Sequence, residues 1–109
     1  MNESLPLAGI RVVEFVHMVM GPTCGLVLAD LGAEVIKVEP PEGDMMRQWP
    51  PITEGSEGGY SENFASINRN KRSVVLDLKN AEHKAAARRL VLSADVVLEN
   101  NRPGVMDRL

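Results

Sequence analysis

One cysteine, two histidines and four aromatic residues are all that this chain of 109 residues offers of those types. Cys24 alone leaves no internal disulfide and fits a reducing compartment. Beside it, His17 and His83 do not make a metal-ligand cluster, so no metal is expected. Apolar runs are only strand-length, and Glu, Lys or Asp interrupts each, so none is long enough to span a bilayer. The start, Met1-Asn2-Glu3-Ser4, lacks an apolar h-region, so a secretory signal is not expected and the cytoplasm is. A net charge of −3 gives no support for nucleic-acid or anionic-membrane partners. With 44% hydrophobic and 25% charged residues, the composition fits a globular domain or part of one.

What is present has the rhythm of alternating strands and helices. Ile10 to Val16 reads as a first strand with nearly continuous apolar content. Gly21-Pro22 follows, with Pro22 suited to the first helical position. Leu26, Val27, Ala29 and Leu31 give the helix an apolar face, and Gly32 ends it. Glu34 to Val38 is the second strand, closed by Pro40-Pro41, and the short connections make the two strands parallel. Residues 40–69 then form a long loop rich in Gly, Glu, Pro and Ser, either a surface excursion or a binding lid, with a short helix expected near Tyr60 to Ile67. Trp49, Tyr60 and Phe64 suggest that part of it packs. Ser73 to Leu78 is a third strand. Asn80 N-caps a helix with Glu82 in its first turn. Asp95 to Glu99 is a fourth strand, and a turn through Pro103-Gly104 opens another helix. The expected class is α/β: the N-terminal part of a Rossmann-like parallel sheet, with about four strands, two full helices and the long loop. Four parallel strands with two full helices leave apolar surface uncovered.

Ligands of such sheets collect at the carboxyl ends of the strands. The first of these junctions, Val16 to Pro22, lacks the glycine spacing of a dinucleotide fingerprint, which disfavours NAD and flavin. No Gly-Lys-Ser/Thr loop is present either. His17 is a candidate general base or ligand contact, set against a structural histidine. Arg69, Lys71, Arg72 and Lys79 either grip phosphates or form a charged rim. Asn100, Asn101 and Arg102 follow the fourth strand, either as contacts or as a hydrogen-bonded turn. Cys24 is expected on the apolar side of its helix and His83 on a solvated face. No Ser-His-Asp set or paired carboxylates stand out, so no catalytic residue is assigned.

These segments carry a family resemblance. Leu7 to Glu14, Leu28 to Glu39, Asn70-Lys71-Arg72-Ser73, Leu76 to Lys79, Ala94-Asp95-Val96, Glu99-Asn100 and Pro103-Gly104 occur in the order seen in class III coenzyme A transferases of the CaiB/BaiF type. The chain resembles the N-terminal part of that family, which includes formyl-CoA transferase, carnitine CoA-transferase and α-methylacyl-CoA racemase. The resemblance implies that residues 1–109 are the N-terminal portion of a large CoA-binding domain, the rest of that domain and a small domain lying outside them. It implies an interlocked homodimer and transfer of CoA from an acyl-CoA to a carboxylate through an aspartyl-CoA thioester, a covalent route that divides one hard step into easier ones. That aspartate falls outside this chain, and Asp107 does not match it, so the chain alone is expected to be inactive. The CoA contacts carried over are His17, Val19, Met20, Leu76, Lys79, Asn100, Asn101, Arg102 and Arg108. Val19, Pro40 and Asn101 depart from the formyl-CoA transferase pattern, which has glutamine, a basic residue and an aromatic there, and so speak against formyl or oxalyl chemistry. A racemase-like enzyme and a non-catalytic CoA-binding or docking module are the alternatives.

Overall fold

A computed structural model describes residues 4–50, 52–53 and 60–108. The chain runs β1 (Arg11–Phe15), α1 (Met20–Asp30), β2 (Glu34–Glu39), a 3-10 turn (Met45–Gln48), β3 (Ile52–Thr53), β4 (Tyr60–Ser61), α2 (Glu62–Asn68), β5 (Lys71–Val75), α3 (Ala81–Ser93), β6 (Val96–Glu99) and α4 (Val105–Arg108). Four strands form one parallel sheet in the order β5-β2-β1-β6, as expected for an α/β fold. Alternation along the strands gives the sheet two faces. Val12 and Val35 point toward α1, where Ala29 and Ala33 meet them. Val13, Phe15, Val38 and Leu76 point the other way, toward Ala87 of α3. Val12, Val13 and Val35 are fully buried, each contributing about 1.5–3 kcal/mol.

Several local expectations shift. Helix α1 begins at Met20, so Pro22 is its third residue; the first-turn amides have no intrahelical partner, and the missing N–H does no harm there. Gly32 closes α1 with φ 107°, and Ala33 N–H reaches back to Leu28 C=O at 3.1 Å. Strand β5 occupies Lys71–Val75 rather than Ser73–Leu78. Polar residues fit its start because Lys71 and Ser73 face the side on which Glu14 and Glu39 accept their hydrogen bonds. The connection over 40–69 is largely built. Asp44 caps the 3-10 turn through Met46 N–H at 2.9 Å, Ser61 caps α2 through Phe64 N–H at 3.2 Å, and β3 and β4 pair antiparallel. It packs through buried Met46 and through Arg47, whose guanidinium lies 3.9 Å over the Phe64 ring, while Trp49 remains exposed.

The strand order reverses direction at β1. From β1 the chain passes through α1, on one face, to β2; it reaches β6 on the other side of β1 only after α3, on the opposite face. The carboxyl ends of β1 and β6 therefore flank the switch point of the sheet.

Candidate functional site

A groove of about 530 Å³ lies over the carboxyl ends of β1, β2 and β5. Phe15, Val16, Val38, Leu76 and Leu78 give it apolar walls, and Pro40-Pro41-Glu42 forms one rim. His17, Asp77, Lys79 and Asn101 supply the polar edge. Four residues nominated from sequence thus meet here: His17, Leu76, Lys79 and Asn101. Val19 and Met20 stand exposed at the start of α1 and do not line the groove. Asn100 bonds to the His17 backbone beside it, Arg102 is exposed in the turn before α4, and the Arg108 side chain lies outside the described residues.

Each wall is held by local chemistry. Asp77 N–H donates to Nδ1 of His83 at 2.8 Å, Lys79 N–H to the Asp77 carboxylate at 3.0 Å, and Asn80 caps α3 through the amides of Glu82 and His83. His83 is therefore a half-buried brace of the β5–α3 loop rather than a solvated side chain; its position three residues past the N-cap is the signal that was available. Asn101 N–H bonds Glu99 at 3.0 Å, and its amide reaches Met106 Sδ at 3.2 Å. The first loop contains Met18 with φ 65°, a left-handed backbone that costs a non-glycine residue roughly 1–2 kcal/mol. No side chain caps α1, whose N-cap position is Val19.

The basic cluster does not join this groove. β5 starts at Lys71, so Arg69, Lys71 and Arg72 lie at the amino edge, opposite the loops that gather ligands. Arg69 pairs with Asp30 at 2.7 Å and Arg72 with Glu34 at 3.4 Å. Lys71 turns inward: its ammonium donates to Glu14, to Pro22 C=O and to Asn68, each at 2.8 Å. Lys37 is its counterpart, 2.9 Å from Asp44, 3.8 Å from Glu14 and 3.2 Å from Val16 C=O. Burial pushes the Glu14 carboxyl up, opposed by Lys71, and pushes Lys71 down, opposed by Glu14. Gly25 passes so close that an added Cβ would sit 1.9 Å from Glu14 Oε2. Nearby, burial would raise Glu39, yet Arg47, the Ser73 hydroxyl and Asp44 N–H together hold its carboxyl down at about 2. Cys24, expected against the core, is exposed; the glycines of α1 take the sheet side instead.

Among the described residues, no helix is long and apolar enough to cross a membrane, and no group of three or more His, Cys, Asp or Glu could hold a metal.

A parallel α/β sheet with an apolar groove over its carboxyl edge defines an α/β class of architecture that gathers ligands at the ends of its strands. Within that class, a sequence model of CoA-transferase family III matches residues 7–109, and the chain belongs to that family. It is 51% identical over 103 residues to a succinate–glutarate CoA-transferase of Agrobacterium fabrum, covering 91% of this chain and 26% of that protein. It is 45% identical over 103 residues to a succinyl-CoA:mesaconate CoA-transferase of Haloarcula hispanica, covering 94% of this chain and 26% of that protein. A CAIB/BAIF family protein from Brucella suis superposes with TM-score 0.91 at 44% identity, over 95% of this chain and 28% of its own. The chain spans about a quarter of the length of the curated relatives it matches.

Proposed function

We propose that this chain forms part of the coenzyme A site of an enzyme that moves CoA from an acyl-CoA donor to a carboxylic acid. The observation that carries the reading is the meeting of His17, Leu76, Lys79 and Asn101 on one groove. Its apolar walls suit a flat aromatic ring and the Lys79 ammonium suits a phosphate, two features that a CoA nucleotide combines. Val19, Met20, Arg102 and Arg108 complete the proposed contacts from the neighbouring loops, while Asn100 stands behind His17. Relatives named for succinate, glutarate and mesaconate favour a carboxylate acceptor.

In this reading residues 1–109 are the N-terminal portion of the large domain, and the complete enzyme works in the cytoplasm as an interlocked homodimer. The acyl group passes to an aspartate outside these residues, giving a mixed anhydride, and CoA thiolate then converts that anhydride to the aspartyl-CoA thioester. The 109 residues alone bind without turning over.

Titration of the protein with coenzyme A, followed by amide NMR, tests the site. Shifts at His17, Lys79 and Asn101 are expected, with Lys79→Met weakening affinity about tenfold, the loss of one charge-assisted hydrogen bond. Unchanged spectra at saturating coenzyme A would sink the proposal, and so would CoA exchange between acyl-CoA and carboxylate by the chain alone.

A further inference from the structure

We propose that Asn100 is a positioning residue, fixing the first strand-to-helix loop by standing in for a strand backbone. Its side-chain amide accepts from His17 N–H at 3.1 Å and donates to His17 C=O at 2.9 Å. A single amide thus serves both backbone groups of one residue, as a neighbouring strand would.

The bridge falls where the sheet stops supplying such a neighbour. Phe15 and Glu99 are the last paired residues of β1 and β6. Beyond them the chain leaves β1 for α1 on one face and leaves β6 for α4, whose Met106 packs on the other face. His17 would face that opening with both backbone groups unpaired; the Asn100 side chain spans it.

Two independent features fit a clamp. Met18, the next residue, holds a left-handed backbone, φ 65°, of the kind that persists only when its surroundings fix it. Gly21 lies against the Asn100 amide: an added Cβ would come within 2.9 Å of Cγ and Nδ2 and 2.7 Å of Val16 Cβ. The space that lets Asn100 reach His17 exists because residue 21 has no side chain. Asparagine is also the type the geometry needs, since aspartate has no donor for the carbonyl and serine has a shorter reach.

Asn100 does not line the groove, but His17 does. Asn100 therefore acts on a ligand through His17, a role that deepens, and rests on, the reading of the groove as a coenzyme A site.

Hydrogen exchange of the His17 amide, with coenzyme A titration of the same samples, tests the clamp. Asn100→Ala is expected to speed His17 exchange about tenfold and weaken coenzyme A affinity about tenfold, as expected for lost hydrogen bonds of ordinary strength. Gly21→Ala keeps the amide but displaces it, and should produce both losses; if that variant fails to fold, Asn100→Asp, at an exposed site, serves in its place. His17 protection that survives Asn100→Ala overturns the clamp. Weakened affinity with unchanged exchange overturns it too, since that pattern marks Asn100 as a direct contact. If the unaltered protein binds no coenzyme A, the functional reading fails, while the exchange result still decides the clamp.

Discussion

The two faces of the sheet are built on opposite plans. Toward α1 the carboxyl half of the interior is charged, with Glu14, Lys37, Lys71 and Asp44 sealed together and each ammonium given three oxygen neighbours. Toward α3 it is apolar, from Val13 and Phe15 to Ala87, and it opens into the 530 Å³ groove and a second groove of about 410 Å³ lined by Val91, Leu92 and Met106. The charged face is closed and the open face is apolar. Buried charge here organises connections: Lys37 ties the end of β1 to the 3-10 turn, and Lys71 ties the start of α1 to the end of α2. Space for a ligand remains where no such ties cross.

The largest blow to this contrast should come from Lys71→Met, which strands the Glu14 carboxylate. Breaking one side of a buried pair costs about 3–5 kcal/mol, read from urea unfolding. Glu14→Leu with Lys71→Met should recover much of that, because an apolar pair leaves no orphan charge. A single-variant loss below about 1 kcal/mol would mean that the cluster is not sealed. Acid comes next. The Glu39 carboxyl is held at about 2, below its unfolded value of 4.5, so its contribution is present above pH 4.5 and is lost as pH falls from there through 2. That contribution is on the order of 3 kcal/mol, and Glu39→Gln should flatten this part of the acid limb. Were the two acid limbs to coincide, the Arg47 and Ser73 contacts would not be holding the charge. The smallest effect is expected on the open face: Leu92, 86% exposed, should tolerate Gln within about 0.5 kcal/mol. A loss of several times that would show this groove to be covered.

The alternation of strands and helices, the Gly32 stop and the Asn80 cap were legible because each rests on a local rule that its neighbours do not override. The start of β5 was not: Lys71 and Ser73 look like solvent-facing residues until Glu14 and Glu39, far away in sequence, are seen to receive them. The same blindness left the basic run open between a phosphate grip and a charged rim. Residue type gives charge, but only the parallel direction of β5 tells which edge of the sheet the run occupies. Cys24 was misjudged because α1 is apolar on both sides, so periodicity could not choose the buried one. At the site, Asn101 was nominated from its place just past a strand, Lys79 from its charge, and both from the family resemblance, whereas the Pro40–Glu42 rim went unassigned although it follows β2 directly. The β3–β4 ladder, two residues in each strand, leaves almost no pattern to read.

The strand order also sets a timetable for folding. β1 is made first, yet its partner β6 arrives only after most of the chain: Arg11 bonds Asp95 across 84 residues. Contacts so distant in sequence are slow to close, since the intervening chain must be ordered before they form. Until then one edge of β1, carrying Val12 and Val13, is an open template for other chains. Slowing the emergence of residues 94–99 during synthesis would lengthen that window, and the protein's yield would then depend on how quickly β6 arrives.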